Sequence, residues 1–224
     1  MPRVGVLALQ GDFSCHQRSL VALGVEAVRV SMPQDLEGLD ALVMPGGEST
    51  TMLRLLEVTG LRAPVERFVG ERPVLGTCAG LILLAREAGE LPFPPLGVID
   101  VSVERNAYGR QIDSFADALD APALGGPVHG VFIRAPRIRR VGAGVEIVVR
   151  RGDEPVGVRQ GMAVGIAFHP ELTQDLRLHR WFLEDVAKLK IQSVSPASPA
   201  SAAAPATGGP SMAPAKIAPK ELPR

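Results

Sequence analysis

Apolar positions along this chain come in short continuous runs broken by glycine, proline and small polar residues, the pattern of strands buried on both faces. Residues 4–9 (VGVLAL) form the first run, which stops at Gln10-Gly11. Asp12 is placed to cap a helix running through Leu20 and Leu23, with Gly24 closing it. Residues 25–30 read as a second strand and 40–44 (DALVM) as a third, which ends in PGGESTT at 45–51. A strand, two glycines and then Ser/Thr before an apolar run make a strand-to-helix loop with free backbone N–H groups. Helices over 50–56 and 63–69 follow, and then the stretch 73–86, PVLGTCAGLILLAR, in which a strand turns sharply into an apolar helix. Strands alternating with helices in this way predict a doubly wound parallel sheet, with ligands bound at the carboxyl ends of its strands. Gln10, Gly47 and Cys78 all fall at such ends, so one crevice can hold all three.

Beyond residue 91 the pattern changes to short strands and turns, at 97–104, 111–115, 128–133, 145–150 and 154–159, with Gly152-Asp153 as a hairpin tip. An apolar strand over 162–168 (MAVGIAF) ends in His169-Pro170-Glu171, and a last helix is expected over 174–190. The fold class expected is α/β, a three-layer αβα sandwich with a mixed, mostly parallel central sheet and extra short strands in the second half.

Composition adds bounds to this picture. A chain of 224 residues, 46% hydrophobic, is long enough for one α/β domain with a sizeable core. Residues 193–224 contain nine Ala, seven Pro and five Ser and no aromatic residue, so a domain over 1–190 and a disordered tail over 191–224 are expected. With 24 basic and 24 acidic residues there is no electrostatic footprint for nucleic acid. No run approaches the roughly 18 apolar residues of a membrane span, and no leader pattern opens the chain. Two cysteines, Cys15 and Cys78, are too few for a disulfide framework. A soluble, cytoplasmic protein is expected.

Cys78 is the candidate nucleophile. Gly76 and Gly80 stand two residues before and after it, the spacing of a nucleophile elbow, where close neighbours leave no room for a Cβ. The helix N-terminus beneath such a turn favours a thiolate. A buried cysteine in a glycine-rich turn would carry the same flanking residues, so a partner base is needed to decide. Of His16, His129, His169 and His179, His169 closes an apolar strand, and Pro170 after it favours extended backbone. In extended backbone residues i and i+2 face the same way, so Glu171 can orient His169 while its other nitrogen addresses Cys78. Backbone N–H groups of Ala79 and of the Gly46-Gly47 loop are candidates for stabilising an oxyanion.

With Leu9-Gln10-Gly11 and His16, PGGESTT (45–51), GTCAGLILLA (76–85), VERNAYGRQIDSF (103–115), GVFIRAP (130–136) and FHPELT (168–173), residues 4–190 resemble the class I, triad-type glutamine amidotransferases. Among these the resemblance is closest to the family of glutaminase subunits of pyridoxal 5′-phosphate synthases. The resemblance implies a flavodoxin-like fold and hydrolysis of L-glutamine to L-glutamate and ammonia through a thioester on Cys78. His169 would act as acid and base, Glu171 as its orienter, and N–H groups at Gly47 and Ala79 as the oxyanion hole. Gly47, Glu48, Ser49, Arg105, Ile133 and Arg134 match positions that hold glutamine, and an arginine suits its α-carboxylate. Gln10 and His16 match a first loop coupled to partner docking, with a helix-face histidine packing locally as the other reading of His16. The partner implied is a (β/α)8-barrel synthase subunit in a large hetero-oligomer that uses ribose 5-phosphate, glyceraldehyde 3-phosphate and ammonia. No cofactor or metal is implied for this chain, and no nucleic acid or membrane. A glutaminase serving another synthase, a flavodoxin-like cysteine hydrolase and a non-catalytic binding subunit remain the alternatives.

Overall fold

The computed structural model describes residues 1–105, 107 and 114–191. Its elements run β1 (Arg3–Leu7), α1 (Phe13–Ala22), β2 (Glu26–Val30), β3 (Ala41–Met44), α2 (Ser49–Val58), α3 (Arg62–Glu71), β4 (Val74–Thr77), α4 (Ala79–Leu84), β5 (Ala85–Glu87) and β6 (Ile99–Glu104). Then come β7 (Ser114–Leu119), β8 (Val128–Ile133), β9 (Arg137–Val141), β10 (Glu146–Arg151), β11 (Glu154–Gln160), β12 (Ala163–Ile166) and α5 (Arg177–Trp181).

Seven strands make the main sheet in the order β10-β11-β12-β4-β3-β1-β2. The five from β12 to β2 are parallel, and β11 and β10 add an antiparallel edge. This is the mixed, mostly parallel sheet that the pattern of runs predicts. Val4, Val6, Leu42, Val43, Val74, Leu75, Val164 and Ile166 are all buried, as strands covered on both faces require. Smaller sheets, β5-β6-β9 and β7-β8, carry the second half of the chain.

Local signals account for most element ends. Gly24, at φ +73°, closes α1, with its N–H on Val21 O and the N–H of Val25 on Leu20 O, a Schellman motif. Asp12 occupies the N-cap position of α1, but its side chain makes no capping hydrogen bond. Five points differ from expectation or fall outside the described residues. β9 was not expected from the sequence, because only Ile138 of its five residues is buried. β5 was not expected either: the apolar helical run after Cys78 ends at Leu84, as α4 does, and the chain passes directly into this short strand. The last helix is shorter than 174–190: it begins at Arg177 and passes into a π turn over Phe182–Val186. There, an Asx-type bond from Arg177 N–H to Asp175 Oδ1 competes with an earlier start, and Lys188 at φ +56° ends the run. Of the strand expected over 111–115, residues 111–113 lie outside the described residues, and 114–115 open β7. The tail expected over 191–224 lies outside them too, apart from Ile191.

The turn between β4 and α4 shows why its glycines are needed. A Cβ on Gly76 would stand 2.6 Å from the backbone of Gly80, and one on Gly80 would run into the carbonyl oxygen of Met44. Neither neighbour is a flexible side-chain tip, so neither can yield cheaply. Gly70, near the end of α3, meets nothing within 4 Å. Gly80→Ala should therefore destabilise the fold by about 1–3 kcal/mol, whereas Gly70→Ala should stabilise it by about 0.5–1 kcal/mol through helix propensity. Thermal unfolding of the two variants measures both, and the opposite order would contradict this packing.

Candidate functional site

Cys78 sits at the head of β4 with φ +48° and ψ −101°, a conformation that side-chain-bearing residues rarely adopt. Its N–H donates to Ile166 O at 2.7 Å, which ties the turn to β12 next door. Its thiol is only 6% exposed and lies 4.0 Å from the carbonyl oxygen of Ile133. Three residues beyond the end of β12, His169 is anchored by its N–H to Val131 O at 2.8 Å. A Cβ on Gly46 would meet both the His169 ring and, at 3.3 Å, the Cβ of Cys78, so cysteine and histidine pack side by side over this glycine.

His169 Nδ1 lies 2.8 Å from Glu171 Oε1, both side chains being buried. His169 (φ −108°, ψ 88°) leads into a 3-10 turn over Pro170–Leu172, so a tight turn rather than the extended backbone expected brings Glu171 beside it. Burial opposes a charge on His169, yet hydrogen bonds and the negative charges of Cys78 and Glu171 outweigh it and raise the imidazole to about 10. Burial would likewise raise Glu171, but the interaction with His16, then that with His169, holds the carboxyl well below its usual range. The result is an imidazolium–carboxylate pair beside a cysteine.

The other side of the cavity is made by loops. Gln10 Oε1 accepts the N–H of Glu48 at 2.6 Å and fills the space where a Cβ on Gly47, at φ +155°, would go. Glu48 in turn caps α2, its carboxylate accepting from Thr50 N–H at 3.0 Å and Thr51 N–H at 2.6 Å. Burial works against that charge, but the Thr51 and Thr50 hydrogen bonds win and lower the pKa. Arg105 reaches over the same helix end: Nη2 donates to Thr50 Oγ1 at 3.0 Å and lies 3.8 Å from Glu48 Oε1, while Nη1 donates to Glu90 O. Arg134, just after β8, has φ +44°. Of the three described non-glycine residues with positive φ, Cys78 and Arg134 thus face one cavity.

That cavity, about 360 Å³, is lined by Gln10, Gly47, Glu48, Ser49, Cys78, Arg105, Ile133, Arg134 and His169, bringing together nearly every residue singled out in the sequence. Ala79 lies directly behind Cys78, as the first residue of α4. Asp12, Gly11 and Ile82 also line the cavity and were not anticipated. His129 is exposed and lies elsewhere. His16, read either as part of a first loop coupled to a partner or as a helix-face histidine packing locally, lies inside α1 and is fully buried, its ring packed between Glu171, Thr77 and His179. His179, between Leu178 and Arg180 on a helix with two arginines, had no signal in the sequence that marked it as part of the site. Among the described residues, Asp12, His169 and Glu171 have ligand atoms within 4.8 Å of one another, but the last two already satisfy each other. Cys15 and Cys78 are both free thiols.

Residues 6–188 match the SNO glutamine amidotransferase family. The chain is 57% identical over 184 residues to a Thermus thermophilus protein named pyridoxal 5′-phosphate synthase subunit PdxT, covering 81% of this chain and 96% of that one. It is 55% identical over 184 residues to the subunit of the same name from Pelotomaculum thermopropionicum, covering 81% and 94%. A crystal structure of a glutamine amidotransferase superposes with a TM-score of 0.78 at 52% identity, over 83% of this chain and 99% of that one. The structure of PurLQS from Thermotoga maritima, at 16% identity and a TM-score of 0.62 over 82% and 98%, shares the fold alone.

The buried pair gives a pH signature. Glu171, lowered from 4.5, contributes stability that is present above that value and lost as pH falls further. His169, raised from 6.5 to about 10, contributes stability that is whole below 6.5 and lost as pH climbs toward 10. Glu171→Gln should therefore cost about 3 kcal/mol near pH 5–6.5, and this difference from the parent should shrink toward pH 3 and toward pH 10. Denaturant unfolding across that range measures it; a difference that does not vary with pH would refute the ion pair.

Proposed function

Because this chain belongs to the SNO glutamine amidotransferase family, we propose that the Cys78 cavity hydrolyses the side-chain amide of L-glutamine and that the ammonia passes to a synthase subunit. The protein is the glutaminase subunit of a pyridoxal 5′-phosphate synthase. The observation that carries the site assignment is the meeting of Cys78 and His169 at the wall of one cavity, with buried Glu171 held on His169 Nδ1 behind them.

The reaction follows from the groups present. The Cys78 thiolate attacks the carboxamide carbon of glutamine, and the carbonyl oxygen becomes an oxyanion against the N–H groups of Gly47 and Ala79. The His169 imidazolium gives its proton to the departing nitrogen, so ammonia leaves and a thioester to Cys78 forms. His169, now neutral, takes a proton from water, and the hydroxide adds to the thioester carbon. Collapse of that intermediate releases glutamate and returns the thiolate–imidazolium pair. Glu171 holds His169 in the correct tautomer throughout. Glu48, Ser49, Arg105, Ile133 and Arg134 surround the amino-acid end of the substrate, with Arg105 suited to the α-carboxylate by its planar, permanent charge.

Free ammonia is protonated at neutral pH, which favours release directly into a partner. A (β/α)8-barrel synthase subunit, in a large hetero-oligomer, is the partner in this reading, and a reducing compartment such as the cytoplasm keeps Cys78 reactive. No helix among the described residues is long and apolar enough to cross a membrane. Service to a different synthase is disfavoured by the relatives' identities of 57% and 55%, against 16% for PurLQS.

Glutamate release measured with and without the synthase subunit should be low for the chain alone and rise clearly on mixing; no rise with an active synthase subunit would count against the partnership. Cys78→Ala should abolish release and leave the two subunits bound to each other, whereas surviving turnover would remove Cys78 as nucleophile. Arg105→Ala should raise KM for glutamine by about 10- to 100-fold, the worth of a charge-assisted hydrogen bond, with a smaller change in kcat. An unchanged KM would return Arg105 to its structural bonds with Thr50 and Glu90.

A further inference from the structure

Behind Glu171, on the side away from Cys78, lie two buried titratable groups that the thioester chemistry leaves unused. His16 on α1 and His179 on α5 are both fully buried, and they meet across 163 residues of chain. His16 Nδ1 is 2.9 Å from His179 Nε2, and His16 Nε2 is 3.1 Å from Thr77 Oγ1. His16 Nε2 also lies 3.3 Å from Glu171 Oε2, an oxygen with no hydrogen-bond partner among the described residues. Glu171 is thus held at Oε1 by His169 and faced at Oε2 by His16.

The ring protons are constrained by this arrangement. A carboxylate only accepts, so the nitrogen that His16 turns to Oε2 must be an N–H. Two imidazole nitrogens 2.9 Å apart share one proton, and either direction of donation is open in principle. Burial pushes His179 down to about 3, so it carries a single ring proton at neutral pH. If that proton sits on Nε2 and is donated to His16 Nδ1, the unpartnered His179 Nδ1 is a bare acceptor. The other arrangement would bury an orphan N–H donor at Nδ1, which is the rarer fault in folded proteins. The sequence of donors therefore runs from His179 to His16 to Glu171, with His169 donating from the opposite side.

Resting on the glutaminase reading of the cavity, we propose that His16, backed by His179 and Thr77, is a positioning residue that fixes the far oxygen of Glu171 so that the near oxygen stays on His169. A buried carboxylate with one oxygen unopposed could rotate or take up a proton, and either change would release His169 from its orientation. The other ionisable groups around this line are Asp12, within 4.8 Å of His169 and Glu171, Cys78 beside His169, and Asp175, whose charge acts on His179.

Two substitutions separate positioning from packing. His16→Gln keeps an amide N–H near the place of Nε2, facing Glu171; His16→Asn keeps one only near Nδ1, facing His179. Glutamate release is assayed with the synthase subunit bound. His16→Asn should lower kcat by about 10- to 100-fold with KM little changed, as loss of a supporting partner typically does, while His16→Gln restores most of kcat. The acid limb of the kcat profile should move to higher pH in His16→Asn, because Glu171 loses the group that keeps it ionised. A second readout needs no glutamine: the pH profile of Cys78 alkylation by iodoacetamide, followed on its own peptide so that Cys15 does not contribute, should move the same way. Equal behaviour of the Gln and Asn variants, or pH profiles that stay in place, would overturn the proposal. Should His16→Asn fail to fold, His179→Leu, which frees His16 to turn away from Glu171, must produce the same shift. A parent complex that releases no glutamate would sink the glutaminase reading, and the alkylation profile would still decide the role of His16.

Discussion

The approach of α4 to β3, so close that the carbonyl oxygen of Met44 fills the space of a missing Cβ at Gly80, sets the conformation of everything that follows it. Because strand and helix meet this tightly, the chain has to reverse within Cys78, and the cysteine is forced to positive φ. Strain of this kind costs about 1–3 kcal/mol and persists only where surrounding packing overdetermines it. Here the packing is the parallel sheet itself, with β4 held between β3 and β12. A looser turn would relieve the cysteine and would also bury its sulfur in the sheet.

A second constraint is electrostatic. A carboxylate on a fully buried side chain is expensive unless it is paired, and two histidines, His169 two residues before it and His16 from α1, face its oxygens. Apolar side chains of similar size would make an equally stable core, so the buried charges are better understood through the chemistry beside them than through stability. Elsewhere charge is kept at the surface: Arg140 pairs with Asp100 and Glu87, and Arg177 with Asp175, all partly exposed.

The parts of the fold legible in the sequence are those whose residues declare themselves locally. Uninterrupted apolar runs marked β1, β3, β4 and β12, and glycine spacing marked the elbow. His169-Pro170-Glu171 could be read as a pair because the two residues are close in sequence, although a 3-10 turn and not extended backbone joins them. β9 is the opposite case. Its sequence, RIRRV, looks like a solvated loop, and it becomes a strand because arginines on it meet carboxylates of other strands: Arg137 with Glu154 and Arg140 with Asp100. That information lies in residues brought near by folding. His16 could be put on the first helix but not given its surroundings, since nothing near it in sequence reveals that its neighbours will be Thr77, Glu171 and His179. The cavity residues Glu48 and Arg105 were legible only through family resemblance, charged side chains being ordinarily solvated.

The two halves of the cavity are built to different standards, and the difference follows from what each must do. The reacting half hangs on paired strands: Ile166 is in register with Thr77, so the residues just beyond them, Cys78 and His169, are separated by fixed backbone. Ile166 O further accepts the Cys78 N–H, which removes the remaining freedom at the turn. Proton transfer between sulfur, imidazole and substrate needs that precision, since small misplacements cost large factors in rate. The other half, which in the proposed reading faces the amino-acid end of glutamine, is carried by loops and a helix end, through Gln10, Gly47, Glu48 and Arg105 bonded to one another's neighbourhoods. There a charged ligand must enter and leave, and side chains satisfied by exchangeable hydrogen bonds allow it. Rigid strands beneath the thiol and adjustable loops over the substrate are thus the arrangement that a repeated acyl transfer requires, and this sequence reaches it by placing both at the carboxyl ends of one parallel sheet.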